Sequence, residues 1–111
     1  MSATRPLAVI ALALEAAFMT VAPSAAQSVG DAASGQRLAE VWCVQCHRIG
    51  SQNADASRSP PDFGAVANMR SFSELSMRVF LQTPHGQMPR YEFSPVELDD
   101  LIAYLASLRR S

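Results

Sequence analysis

A short cysteine and histidine motif constrains what this chain can fold into more than any other stretch. It reads Cys43-Val44-Gln45-Cys46-His47, the C-x-x-C-H pattern of c-type haem attachment. The thiols of Cys43 and Cys46 can add across the two vinyl groups of haem, because two intervening residues hold the sulfurs about one helical turn apart. The histidine that follows can ligate the iron through Nε2. The motif therefore predicts one covalently bound haem c, with His47 as an iron ligand.

Other chemistries of two nearby cysteines fit the sequence less well. A thioredoxin-like redox pair is expected in a βαβ context, and no strand pattern surrounds the motif. A structural zinc site needs two more Cys or His ligands at paired spacing, whereas His85 is the only further candidate. A disulfide across two residues encloses almost no loop and stabilises little. A thiol-based oxidoreductase stays open as an alternative that predicts free thiols and no visible colour.

The first 26 residues resemble an export signal. Arg5 gives the positive start, residues 6–22 form a mostly apolar run, and Ser24-Ala25-Ala26 offers the small residues of a cleavage site. Glu15 interrupts the apolar run, and a charge there raises the cost of membrane insertion. We therefore expect residues 1–26 to be a cleaved signal peptide, with a retained membrane anchor as the alternative.

The remaining residues, 27–111, are expected to form a single domain in the periplasm. The signal carries one arginine and one glutamate, which leaves eight arginines, nine acidic residues and no lysine. A chain without a basic stripe is a poor candidate for nucleic-acid binding. A domain of this size is marginally stable on side-chain packing alone, so we expect the haem to form the centre of the core.

The first predicted helix leads into the attachment motif. Asp31 is the expected N-cap, with Gly30 as the alternative, and the helix is expected to run to about Trp42. Leu38, Val41 and Trp42 recur at spacings of three and four, which predicts the apolar face.

A glycine, Gly35, lies in the middle of this helix. Glycine at such a position costs about 1 kcal/mol relative to alanine. We interpret Gly35 as a point where another helix crosses closely, and a tolerated surface glycine is the alternative.

The middle of the chain is predicted to be a loop followed by two helices. Residues 48–60 form a polar loop with almost no apolar anchor, and Pro61-Asp62-Phe63 opens a short helical segment. The capping-box spacing of Ser71 and Glu74 predicts a third helix that runs to about Gln82. The inward faces are predicted to be Phe63, Val66 and Met69 in the short segment, and Phe72, Leu75, Val79 and either Phe80 or Leu81 in the third helix.

The last predicted helix has the clearest signals. Ser94 is the expected N-cap, Pro95 stands at the first helical position, and Glu97 completes a capping box. Apolar residues at helical spacing predict one buried face. They are Leu98, Leu101, Ile102, Leu105 and Leu108.

The iron face opposite His47 needs a second ligand or stays open. Met69 and Met77 lie in helical patterns, where ordinary core filling explains them. Met88 lies in a loop between two helices, just before a proline, and we interpret Gly86 as allowing a close approach there. Met88 is the favoured ligand, while His85 is an alternative that is otherwise expected to face solvent.

A His/Met ligand pair predicts a class of chemistry. It fills both axial positions and raises the reduction potential, which leaves little room for a substrate or dioxygen. We therefore expect a one-electron carrier and not an enzyme. A five-coordinate haem protein that binds a gas or acts as an enzyme is the alternative.

With these residues the chain resembles a small bacterial class I cytochrome c over about residues 29–109. The resemblance rests on the C-x-x-C-H motif, on Met88-Pro89 about forty residues later, and on Leu101-Ile102-Ala103-Tyr104-Leu105. It implies an all-α fold of three to four helices wrapped around one haem. It also implies that the first and last helices cross where Gly35 meets Leu101 and Tyr104.

The resemblance further implies a partner for the haem histidine. Pro61-Asp62-Phe63 resembles the family's segment in which a proline carbonyl accepts the histidine Nδ1–H, and such a bond strengthens the ligand. The chain departs from the family at Ala39, where an aromatic residue often stands, so we expect the crossing to pack differently, through Leu38.

Partners follow from the same resemblance. It implies a transient electron donor and a transient electron acceptor, and we expect a monomer. The lysine-rich docking face of mitochondrial relatives is absent, so an apolar patch at the haem edge is expected to form a small interface. Arg70, Arg90 and Tyr91 are candidate contacts of the haem propionates, although plain surface positions explain them as well.

Overall fold

The structure is a computed structural model that describes residues 29–50 and 54–110. Within these ranges helices are the only regular secondary structure and there is no strand, so the predicted all-α fold class is confirmed. The predicted signal peptide, residues 1–26, lies outside the described residues. No helix in the described ranges has the length and apolar character needed to cross a membrane. The helices are α1 (Ala32–Trp42), α2 (Phe63–Ala67), α3 (Glu74–Gln82) and α4 (Pro95–Ser107).

Helix α1 begins and ends where the sequence predicts. Asp31 is its N-cap, and its carboxylate accepts a hydrogen bond from the Ser34 backbone N–H at 2.7 Å. The backbone N–H of Asp31 itself donates to the Asp100 carboxylate at 2.7 Å. The capping residue therefore also ties the start of α1 to α4.

Two glycines let α1 and the segment before it lie directly against the backbone of α4. A Cβ atom added at Gly35 would stand 1.9 Å from the Asp100 carbonyl oxygen and 2.8 Å from the Tyr104 Cβ. A Cβ atom added at Gly30 would stand 2.1 Å from the Asp99 carbonyl oxygen. The predicted close crossing at Gly35 is thus confirmed. The matching role of Gly30 was missed, because that residue was considered only as a cap.

The predicted apolar face of α1 is wrong. Val41 and Trp42 are exposed and Leu38 is half-buried, whereas Gly35 and Ala39 are the buried residues of the helix. The cause is the close approach of α4, which leaves room only for small side chains and turns the larger ones outwards. Ala39, and not Leu38, therefore fills the contact.

Helix α4 supplies most of the core. Its predicted capping box is confirmed, since the Ser94 and Glu97 side chains each accept a hydrogen bond from the other's backbone N–H, with Pro95 in the first turn. The Tyr104 hydroxyl donates to the Ile49 carbonyl at 2.8 Å, which fastens the chain that leaves the motif. Its buried residues are Leu98, Leu101, Ile102, Ala103, Tyr104 and Leu105.

Helix α2 and the residues after it agree only in part with the prediction. The helix begins at Phe63, which is buried, as expected. Met69 lies beyond the end of the helix and is exposed. The interpretation of Met69 as core filling is therefore wrong.

Helix α3 starts two residues later than predicted. Its N-cap is Ser73, and the hydroxyls of Ser73 and Ser76 each accept from the other's backbone N–H, at 3.0 and 2.9 Å. A second serine therefore replaces the acidic residue that the predicted capping box used. The end at Gln82, before Thr83-Pro84, is confirmed.

The inward face predicted for α3 is confirmed only in part. Leu75, Val79 and Phe80 are exposed, and the helix contains no fully buried residue. Phe72 and Leu81, which were both predicted, pack against the core, and so does Met77, which was not part of the predicted face. Phe80 lines a cleft in the protein, whereas Leu75 and Val79 are not among the residues that line it.

Replacing Gly35 by alanine tests the crossing of α1 and α4. Helix propensity alone would favour alanine by about 1 kcal/mol. The new Cβ would meet backbone atoms of α4, which cannot rotate away, so we expect a net loss of about 1–3 kcal/mol in the free energy of unfolding. Denaturant titration of the haem-loaded protein measures this loss.

The matched control is Gly50→Ala. A Cβ atom at Gly50 has no protein atom within 4 Å, so its free energy of unfolding should change by less than about 0.5 kcal/mol. A Gly35→Ala protein as stable as the wild type would contradict the close crossing.

Candidate functional site

The attachment motif continues the end of α1 as one tight turn. The Cys43 N–H donates to the Ala39 carbonyl at 2.9 Å, and the His47 N–H donates to the Cys43 carbonyl at 2.8 Å. The turn brings the first and last residues of the motif to the same side. Cys43 is buried and Cys46 is exposed, and the two thiols form no disulfide.

A cleft of about 420 Å³ opens beside this turn. Cys43 and His47 form one part of its wall, and the loop residues His85 to Met88 form another. Mostly apolar side chains from α2, α3 and α4 complete the lining. The volume lies within the roughly 300–1,000 Å³ typical of small-molecule and cofactor pockets.

The cleft brings together most of the residues singled out from the sequence. Cys43, His47, Pro61 and Met88 all line it, whereas Cys46 is exposed and is not among the lining residues. The propionate candidates are also absent from the lining. One of them, Tyr91, donates its hydroxyl to the Trp42 carbonyl at 3.2 Å.

The loop that carries Met88 differs from expectation in two respects. His85 is half-buried, its ring lies 3.8 Å from that of Phe80, and its Nε2 lies 3.2 Å from the Met88 sulfur, so it does not simply face solvent. Gly86 has a φ of +50°, and a Cβ there would have no protein atom within 4 Å. The left-handed turn thus gives a reason for the glycine, and no close approach of another part of the protein requires it.

The other two methionines also line the cleft. Met77 is half-buried in α3 and Met69 is exposed. Location in the cleft wall therefore does not by itself distinguish among the four candidate ligands.

The imidazole of His47 is held by a backbone carbonyl. Its Nδ1 lies 2.7 Å from the Pro61 oxygen, and its ring packs against Phe63 at 5.3 Å between centroids. A carbonyl oxygen only accepts hydrogen bonds, so Nδ1 carries the proton in this contact. In the neutral ring this leaves the lone pair on Nε2, the nitrogen that a metal ion can take.

A buried carboxylate stands next to this carbonyl in the chain. Asp62 is 1% exposed. Both its oxygens accept from the guanidinium of Arg48, one of them at 2.9 Å, and Arg58 and the Asp55 backbone N–H donate at 3.1 and 2.8 Å. The hydrogen bonds from Arg48 are the main cause that lowers the pKa of Asp62 well below its usual range, against the opposing effect of burial.

This cluster was not predicted from the sequence. An aspartate directly before a helix is the usual sign of an N-cap, but the Asp62 side chain makes no capping hydrogen bond to α2. The only available signal was a pair of arginines within the polar loop, and their spacing points to no particular partner.

The alternatives to haem attachment lose support. Burial raises the pKa of the Cys43 thiol to about 11, whereas reactive thiols have lowered pKa values. In residues 29–50 and 54–110, no three His, Cys, Asp or Glu side chains gather as a metal site would require. Two thiols, an imidazole and an apolar cleft of cofactor size fit a covalently attached haem instead.

Comparisons with known proteins agree with this fit. Residues 30–105 match the family described as cytochrome c oxidase, cbb3-type, subunit III. The chain is 38% identical to cytochrome c-552 of Bradyrhizobium diazoefficiens over 92 residues, which cover 82% of this chain and 88% of the relative. It is 36% identical to a cytochrome c-553-like protein of Synechocystis over 106 residues, which cover 92% of this chain and 94% of that relative. No solved structure gives a significant match.

These matches, together with the all-α fold and the apolar cleft beside the motif, show a small monohaem class I c-type cytochrome, an electron carrier with one covalently bound haem c. More particularly, the chain belongs to the family of the cbb3-type cytochrome c oxidase subunit III.

The lowered pKa of Asp62 predicts a specific acid sensitivity. A carboxylate whose pKa is lowered on folding stabilises the folded protein in full at pH values above its pKa in the unfolded chain. This stabilisation is lost as the pH falls towards its pKa in the folded protein. The contribution of Asp62 should therefore decline once the pH drops below about 5 and approaches the ordinary value of 3.8.

Free energies of unfolding of the wild type and Asp62→Asn, measured from pH 7 down to about pH 3, check this sign. The variant should be less stable at pH 7, and the gap between the two curves should narrow on acidification, because the Asp62 carboxylate takes up a proton in the unfolded wild type while it stays ionised in the folded one. All other carboxylates titrate in both proteins, so the difference isolates Asp62. Parallel curves would show that the carboxylate is not stabilised as described.

Proposed function

We propose that this protein passes single electrons between two redox proteins outside the cytoplasm, through a haem whose iron is ligated by His47 and Met88. The observation that carries the proposal is that Cys43, His47 and Met88 line the same apolar cleft. Attachment would be through thioether bonds from Cys43 and Cys46.

The Pro61 carbonyl would orient the His47 imidazole as an iron ligand. The hydrogen bond of 2.7 Å leaves Nε2 as the nitrogen available to the iron and limits rotation of the ring. A hydrogen bond of this kind also raises the basicity of a ligating imidazole. Pro61 therefore supports His47 without touching the metal.

Met88 would provide the second axial ligand. Its side chain is half-buried and lies on a loop stiffened by the following proline, so its thioether can be held in the cleft. Bound haem c supplies an Fe(III)/Fe(II) couple, and a thioether ligand raises its potential. If His47 and Met88 both hold the iron, no open position would remain for a substrate, and this would favour a carrier over an enzyme.

His85 is the competing ligand. Its Nε2 lies 3.2 Å from the Met88 sulfur, so the same loop brings an imidazole and a thioether to one point of the cleft. If neither group bound the iron, the open position would favour gas binding or catalysis, and reduced protein would bind carbon monoxide rapidly.

The partners are proposed to be a donor and an acceptor that bind a monomer transiently. Val41, Trp42 and Val44 are exposed in the sequence around the motif. They support a small, weakly apolar docking surface in a chain that has no lysine. The family description names an oxidase subunit, so electron transfer to one dedicated oxidase is a variant of the proposal.

The location rests on the sequence alone. Residues 1–26 are proposed to be an export signal that is cleaved, with residues 27–111 as the mature domain. The periplasm is the compartment that this signal implies.

Substitution of Met88 by leucine tests the axial ligand. The two side chains have similar volumes, so the fold should lose less than about 1.5 kcal/mol. We expect the weak sulfur-to-iron absorption band of the oxidised protein to vanish and the reduction potential to fall. The matched control is Met69→Leu, another lining methionine, which should retain both properties.

The double variant Met88→Leu/His85→Ala separates the competing ligands. If His85 replaces the lost thioether, only the double variant should bind carbon monoxide rapidly when reduced. A Met88→Leu protein with an unchanged spectrum and potential would rule out Met88 as the ligand.

Removal of the haem tests whether the cofactor completes the core. Helix α3 has no fully buried residue and borders the cleft, so it should be unstable when the cleft is empty. A Cys43→Ser/Cys46→Ser protein purified without haem should show less helical circular dichroism than the loaded protein and a broad unfolding transition. Equal helicity and a sharp transition would argue against the haem as the centre of the core.

A further inference from the structure

Two separate segments run side by side next to the proposed iron ligand. They are His47 and Arg48, at the end of the attachment turn, and residues 61–63, which enter α2. His47 Nδ1 contacts the Pro61 oxygen at 2.7 Å, and the Phe63 N–H donates to the Arg48 carbonyl at 2.9 Å. The side chains of Arg48 and Asp62 pair between these two contacts. Two consecutive residues of the first segment are therefore joined to three consecutive residues of the second.

The carboxylate of Asp62 is the centre of this arrangement. It is withdrawn from solvent and accepts four hydrogen bonds, two from Arg48 and one each from Arg58 and the Asp55 backbone. A buried carboxylate that keeps two guanidinium partners has few other orientations, because leaving them would strand a charge. Asp62 is accordingly more firmly fixed than a surface loop residue.

Because the peptide bond is planar, the fixed position of Asp62 also restricts the Pro61 carbonyl. The Pro61 carbonyl and the Cα of Asp62 belong to one planar peptide unit. Holding Asp62 therefore restricts the direction in which the Pro61 oxygen points, and this oxygen is the acceptor of the His47 Nδ1 proton. The arginine that pairs with Asp62 also follows His47 directly in the chain, so both ends of the hydrogen bond are tied to the same ion pair.

We propose that Asp62, held by Arg48 and Arg58, is a positioning residue that sets the direction of the Pro61 carbonyl and thereby the orientation and basicity of His47. The inference rests on the proposed role of His47 as an iron ligand. A well-aligned hydrogen bond at Nδ1 makes the imidazole a stronger donor and favours Fe(III). Loss of the Asp62 anchor should loosen this bond and raise the reduction potential.

The potential alone would not separate positioning from simple electrostatics, so two variants are compared. Asp62→Asn removes a negative charge, which raises the potential under either explanation. Arg48→Gln removes a positive charge, which by electrostatics alone lowers the potential, whereas loss of the anchor raises it. The sign of the change in Arg48→Gln is therefore decisive.

The second measurement follows the hydrogen bond itself. The exchange rate of the His47 Nδ1 proton with solvent is measured by NMR in the reduced, haem-loaded protein. We expect exchange at least tenfold faster in both variants, with exchange of the Ile102 amide proton in α4 changed less than twofold. If Asp62→Asn does not fold, Arg48→Gln, whose guanidinium is half-exposed, gives the same readouts.

The matched control is Asp55→Asn. It removes a negative charge from the same loop, while its side-chain oxygen can still accept from Ser57 and its backbone N–H still donates to Asp62. Exchange of the Nδ1 proton should stay within twofold of the wild type. This separates the anchor from a general effect of charge in the loop.

The wild type shows whether the underlying assignment holds. If the His47 ring protons lack the large shifts of an iron-bound imidazole, the proposed function fails before any variant is made. If those shifts are present, but Nδ1 exchange is unchanged in both variants and the potential falls in Arg48→Gln, the positioning role of Asp62 is overturned while His47 remains the ligand.

Discussion

The contact between α1 and α4 is the constraint on which the rest of the described structure depends. At Gly30 and Gly35 the backbone of one segment lies against the backbone of the other, and no side chain could be inserted. Because α1 ends in the attachment turn, its position on α4 also determines where Cys43 and His47 lie. The crossing therefore holds the proposed haem ligands against the apolar face formed by Leu101 and Leu105.

The second constraint is the small size of the domain. Helix α3 and the loop that carries Met88 do not close over α4 but leave an apolar cleft of about 420 Å³ between them. A cofactor in that cleft would take the place of core side chains, and its binding would stabilise the folded state by mass action. Stability and electron transfer would then depend on the same group.

A few polar contacts join segments that lie far apart in the chain. Asp62 joins three positions of a loop that has little apolar anchoring, and the Tyr104 hydroxyl fastens Ile49 from α4. The ion pair of Arg78 with Asp99 links α3 to α4. Polar contacts thus hold together the parts of the chain that the small core leaves without apolar packing.

Some features followed from sequence because their causes are local. The bounds of α1 and the start of α4 depend on capping side chains a few residues away, and both predictions are confirmed. The attachment motif is likewise a local pattern. The crossing at Gly35 came from the cost of glycine in a helix together with the family resemblance.

The faces of α1 and α3 could not be predicted in this way. Helical periodicity assumes that large apolar side chains point towards the core, whereas α1 meets α4 through Gly35 and Ala39 and α3 borders a cleft. The amino-acid sequence by itself determined the helices, their caps and the haem motif, because these depend on neighbours in the chain. Only the tertiary structure decided that Asp62 is buried next to Pro61, the hydrogen-bond partner of His47. The arginines that pair with Asp62 come from a loop whose sequence has no repeating pattern.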